Sequence, residues 1–62
     1  IQYRPSIYVV KNIKKGDVIS RESISVIRPG LGLKPKYFDK VVGMYAKNDI
    51  MSGVPLSWEM IY

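Results

Sequence analysis

The side chains able to do chemistry in this 62-residue chain form a restricted set, because it contains neither Cys nor His. That excludes a thiolate nucleophile, a Cys–His dyad, a Ser–His–Asp triad, thiolate or imidazole metal sites, and disulfides. It also leaves no side chain that titrates, unperturbed, between roughly pH 5 and 8, so a built-in pH switch is not expected. Ten Lys or Arg remain against five Asp or Glu, a net charge of +5. One loose cluster is Lys11, Lys14 and Lys15; a second is Lys34, Lys36 and Lys40; Arg4, Arg21, Arg28 and Lys47 stand apart. Neither cluster is an unbroken run, and basic residues do not alternate with Gly or aromatics, so a nucleic-acid partner is not expected. Arg28 differs from the rest in its setting, at the head of Arg28-Pro29-Gly30-Leu31-Gly32-Leu33-Lys34-Pro35. A strand end followed by Pro and Gly presets the backbone while the side chain can project. Its guanidinium stays charged and offers five donors in a planar fork, suited to carbonyl or carboxylate oxygens and to ordered water. From the residues alone, a binding role and an ordinary turn arginine both remain open.

The elements that must position Arg28 are short. Tyr8-Val9-Val10-Lys11-Asn12-Ile13 is β-branched and apolar and predicts a strand, broken by turn chemistry at Lys14-Lys15-Gly16-Asp17. Gly16 supplies the φ > 0 position that closes such a turn. After Val18-Ile19, Ser20 is placed to cap a single helical turn through Arg21, Glu22 and Ser23, and Ser25-Val26-Ile27 resumes an extended pattern up to Arg28.

Sliding the chain by 37 residues superposes Tyr8 on Tyr45, Ile13 on Ile50, Gly16 on Gly53, Ser20 on Ser57, Glu22 on Glu59 and Ile24 on Ile61, with Ile19 on Leu56 and no gap. Two copies of one unit, about 6–24 and 43–61, predict a pseudo-twofold arrangement rather than a solenoid, which needs three or more repeats.

Between the copies, two glycines and a proline make 29–34 a loop. Pro35 suits a first helical position, Phe38, Val41 and Val42 share one face of a helix of about two turns, and Gly43 ends it. Lys36, Asp39 and Lys40 take the opposite face. The expected core is Val9, Ile13, Ile19, Ile24, Val26, Phe38, Val41, Ala46, Ile50, Leu56 and Ile61. Trp58 and the five tyrosines are expected to serve buried area, and Met44, Met51 and Met60 to fill core gaps. The fold class is mostly β with short helical turns, in one domain over 1–62 with 1–5 as a linker remnant. No run of eighteen apolar residues or signal-peptide pattern occurs and the first residue is not Met, which reads as a domain excised from a longer cytoplasmic protein without a membrane partner.

Ser6-Ile7-Tyr8-Val9-Val10-Lys11-Asn12-Ile13-Lys14-Lys15-Gly16, then Ile27-Arg28-Pro29-Gly30-Leu31-Gly32-Leu33-Lys34-Pro35, then Asp49-Ile50-Met51-Ser52-Gly53-Val54-Pro55-Leu56-Ser57-Trp58 occur in that order. Together they resemble the C-terminal antifreeze-like (SAF) domain of bacterial sialic acid synthases and the related pseudaminic and legionaminic acid synthases. The resemblance covers about Tyr3 to Ile61. It implies the SAF or type III antifreeze-like pretzel fold, a β-clip with internal twofold symmetry. It further implies a parent transferase whose N-terminal TIM barrel condenses phosphoenolpyruvate with an N-acylated amino sugar, using a divalent metal, Mn or Mg, held in the barrel. This domain would then be non-catalytic and hold no metal itself. It would cover the active site of the partner subunit in a domain-swapped homodimer, with Arg28 contacting the sugar and Pro29, Gly30 and Gly32 supporting it. One departure is Pro5, where many relatives carry a second basic residue; it bears on how the segment joins the barrel. Competing readings are a SAF domain of another class, such as a pilus or flagellar assembly protein or a sugar-acid dehydratase, and an ice-binding module. Strong hydration of Lys14, Lys15 and Asp17 opposes the last. A polyanion-binding module would show affinity that falls steeply with salt.

Overall fold

The computed structural model describes residues 4–62. Strand β1, Ser6–Val9, pairs antiparallel with β2, Ile24–Ile27, in the register Ser6–Ile27 to Val9–Ile24. The ladder starts earlier than predicted and stops at Val9, because its partner gives way at Ile24 to the turn through 21–23. Ile13 instead exchanges both backbone hydrogen bonds with Ile50, at 2.8 and 2.7 Å. No helix is long and apolar enough to cross a membrane among the described residues.

Other antiparallel bridges join Tyr8 to Pro55, Val18 to Tyr45 and Ala46 to Ile61. Moving 37 residues along, with the copies exchanged, carries Tyr8–Pro55 to Val18–Tyr45 and Val9–Ile24 to Ala46–Ile61. The turns behave alike: Gly16 N–H donates to Ala46 O and Gly53 N–H to Val9 O, at 2.8 and 2.7 Å. Lys15 N–H donates to Asp49 Oδ1 and Ser52 N–H to Asn12 Oδ1, both at 2.8 Å.

Ser20 does not cap a helix. Its hydroxyl meets that of Ser23 at 2.8 Å, and Ser23 N–H donates to Ser20 O, closing a turn too short to repay helix nucleation. At the matching place Trp58–Met60 forms one 3₁₀ turn. The predicted central helix forms in two pieces, a 3₁₀ turn at Pro35–Tyr37 and then α1, Phe38–Val41, with Pro35 at its start. Gly43 follows with φ +96°. Val41 is buried, Phe38 and Val42 pack half-buried against the core, and Lys36, Asp39 and Lys40 face water.

Nine expected core residues are buried: Val9, Ile13, Ile19, Ile24, Val41, Ala46, Ile50, Leu56 and Ile61. Two expectations fail. Val26 is 39% exposed, since β2 is the outer strand, whereas β1 has residues 54–56 bonded along its other edge. Ile7, which the sequence reading left out, is wholly buried between those neighbours. The aromatic residues also divide. Tyr8 is buried, while Trp58, Tyr45 and Tyr62 are exposed and pair on the surface, Tyr45 with Tyr62 at 5.8 Å and Trp58 edge-on to Tyr37 at 5.3 Å. Met44 and Met60 pack on the core, but Met51 is exposed.

Candidate functional site

Arg28 is the first residue past β2, at a bend, with its side chain exposed. Among the described residues it enters no side-chain hydrogen bond, and the ion pair formed there is Arg21–Asp39 at 2.9 Å. Both partners of that pair lie mostly in water, so it adds little stability. Among the described residues, no side chain occupies the donors of Arg28.

The loop behind it is held tightly. Ser6, the buried polar residue of β1, donates its hydroxyl to Pro29 O at 3.1 Å and accepts from Gly32 N–H at 3.0 Å. Ile7 N–H donates to Leu33 O, Leu33 N–H to Leu56 O and Leu56 N–H to Ile7 O, each within 2.9–3.0 Å. This cycle ties the loop to β1 and to the second half of the chain. Each bond contributes about 1 kcal/mol net, but a buried group left unpaired costs more.

Glycine at 30 and 32 is required by close approach. A Cβ on Gly32 would lie 2.6 Å from Ile7 O and 2.9 Å from Leu56 N and O; one on Gly30 would lie 2.7 Å from Arg4 O. The loop therefore lies flat on backbone, with Arg28 at its head and Leu31, 67% exposed, and Lys34 as long side chains projecting from it.

Gly30 and Gly32 also line a hollow of about 440 Å³ together with Arg4, Ser6, Lys34 and Lys36. Arg28 and Pro29 lie outside its lining. The four residues expected to act together fall within 28–32 of one clamped loop, but only Gly30 and Gly32 line the hollow. Sequence reasoning missed Ser6, whose role depends on a partner 26 residues away, and Arg4, expected to belong to a linker. Of that linker, residues 1–3 lie outside those described; the carbonyl of Arg4 packs against Gly30.

Among the described residues no acid–base pair is assembled here. Asp39 faces Arg21, and Asp49 and Asp17 accept from turn N–H groups. Among the described residues no three potential ligands gather for a metal ion. What the arrangement offers is recognition: an exposed guanidinium on a fixed loop, able to grip oxygen acceptors directly or through water.

Comparison with known proteins gives this geometry a family. Residues 4–61 match the SAF domain. The chain is 36% identical over 52 residues to the pseudaminic acid synthase of Helicobacter pylori, covering 84% of this chain and 15% of that protein. It is 42% identical over 48 residues to the pseudaminic acid synthase of Campylobacter jejuni serotype O:23/36, covering 77% and 14%. It is 34% identical over 58 residues to the N,N'-diacetyllegionaminic acid synthase of Legionella pneumophila, covering 94% and 16%. The chain spans about one sixth or less of the length of these curated relatives. This chain belongs to the SAF domain family and is related to the SAF-containing synthases of pseudaminic and legionaminic acids.

Proposed function

We propose that this SAF domain is the substrate-capping part of a synthase that condenses phosphoenolpyruvate with an N-acylated amino sugar, and that Arg28 is its sugar-contacting residue. The observation that carries the reading is an exposed guanidinium, without a side-chain partner among the described residues, standing on a loop fixed by Ser6, Gly30 and Gly32. A sugar presents carbonyl and hydroxyl acceptors in a wet setting, and a planar fork standing on a preset backbone can hold them directly or through water.

In this reading the domain lies over the mouth of the TIM barrel of the partner subunit in a homodimer, in the cytoplasm. The barrel supplies the catalytic groups and holds a divalent metal, Mn or Mg, which polarises substrate oxygen; no residue of this chain is assigned to the metal. Arg28 orients the sugar and the apolar residues beside it, Ile27 and Leu31, exclude water from the closed site. Finer architecture belongs to the same reading: two copies of one unit, 6–24 and 43–61, related by a pseudo-twofold axis in the antifreeze-like pretzel. Hydrogen bonds that recur at a spacing of 37 residues support it.

The test is Arg28→Ala in the full-length protein. The expected result is a fall of about tenfold or more in kcat/KM for the amino sugar, roughly 1.4 kcal/mol, with the KM for phosphoenolpyruvate little changed. Kinetics within about twofold of wild type would remove Arg28 from the site.

A further inference from the structure

A hollow beside the loop, whose lining does not include Arg28, carries a second concentration of positive charge. Arg4, Lys34 and Lys36 line the hollow of about 440 Å³ beside Gly30 and Gly32. We propose that this hollow binds a small dianion, a phosphate or a dicarboxylate, through Arg4, Lys34 and Lys36.

Charge placement singles it out. The protein has five carboxylates, and none lines the hollow. Asp39 is paired with Arg21; Asp17 and Asp49 sit in the turns of the other lysine cluster, accepting from the N–H groups of Lys14 and Lys15. Glu59 lines hollows elsewhere, and Glu22 is in the exposed turn at 21–23. The charges of Lys14 and Lys15 are therefore offset locally, whereas those of Arg4, Lys34 and Lys36 add up in one concave place, where low-dielectric walls strengthen their field.

The backbone that carries these cations is built in. Gly30 lets the Arg4 backbone close to a distance no side chain would permit, which brings Arg4 onto the hollow. Lys34 is extended at φ −65°, ψ 146°, its carbonyl accepting from Tyr37 N–H at 3.0 Å, and Pro35 fixes the chain between the two lysines. The Lys36 ammonium lies 5.2 Å from the centroid of the Tyr37 ring, which is not part of the lining, so this long side chain turns from that ring to meet a bound anion. A planar fork with two point charges suits an oxyanion with several acceptor oxygens, and the volume accommodates a small organic molecule rather than a bare ion. The site stands whether or not Arg28 contacts a sugar.

The experiment is an ¹H–¹⁵N NMR titration of the 62-residue chain with inorganic phosphate and, in a separate arm, malonate, against sodium chloride of equal ionic strength. Saturable shifts are expected at Gly30, Gly32 and Lys36, with a dissociation constant of about 1 mM or below. The double variant Lys34→Gln/Lys36→Gln, changed only at exposed positions, should bind about tenfold more weakly, while Lys11→Gln/Lys14→Gln should bind within about twofold of wild type. Saturation by phosphate alone identifies a phosphoryl ligand, by malonate alone a dicarboxylate, and by both a general dianion site. Shifts that rise without saturating in both arms, that chloride reproduces, or that survive the double variant overturn the proposal.

Discussion

The turns that close the two halves of the chain and the loop that joins them use glycine in opposite ways. Gly16 and Gly53 have φ of +86° and +95° and open space where a Cβ would stand. Gly30 and Gly32 carry no positive φ but have backbone atoms 2.6–2.9 Å from the place of a Cβ. The first pair makes a bend possible; the second lets a loop lie against two other segments. The difference explains how the joining loop fixes the backbone on which Arg28 stands. A free loop would lose its backbone entropy on binding, whereas here that cost falls on folding.

The comparison breaks most visibly at Gly32. Gly32→Ala should destabilise the domain by about 3 kcal/mol, because three backbone atoms must move and the Leu33–Leu56–Ile7 cycle moves with them. At about 4–8 °C per kcal/mol, thermal denaturation followed by circular dichroism should show a fall in Tm of more than about 10 °C. A loss no larger than at Gly16 would mean that the loop is not pressed on the frame. Ser6→Ala comes next, at about 2 kcal/mol, since it strips a buried hydroxyl from both Pro29 O and Gly32 N–H.

Gly16→Ala and Gly53→Ala should each cost about 1 kcal/mol, and by nearly equal amounts, because the strain is conformational and nothing blocks the new methyl. Chemical denaturation midpoints that differ strongly between the two would argue against equivalent turns. Smallest are Asn12→Ala and Asp49→Ala, each below about 1 kcal/mol, removing one exposed side-chain bond to the opposite turn.

Much of this frame was legible in the sequence. Gly16 and Gly53 announce themselves by composition and spacing, eight of the core positions follow from apolar residues flanking them, and Val41 follows from the helix face it shares with Phe38 and Val42. Val26 and Ile7 did not, because which strand of a pair lies outermost depends on residues 54–56, far along the chain. The exposed Tyr45–Tyr62 and Tyr37–Trp58 pairs were hidden for a similar reason: a 62-residue domain has too little interior for every aromatic. At the candidate site Arg28 and its Pro–Gly context were readable as a motif. The clamp by Ser6 was not, since an isolated serine carries no sign of the two loop groups it will meet.

In the proposed function Arg28 acts on the cavity of another subunit. Mixed dimers test it most directly: full-length subunits inactivated in the barrel but retaining Arg28 are paired with subunits carrying Arg28→Ala and an intact barrel. If Arg28 reaches across, each mixed dimer contains one complete site, and synthase activity should rise well above that of either parent. Activity that stays at the level of the Arg28→Ala parent would contradict the account.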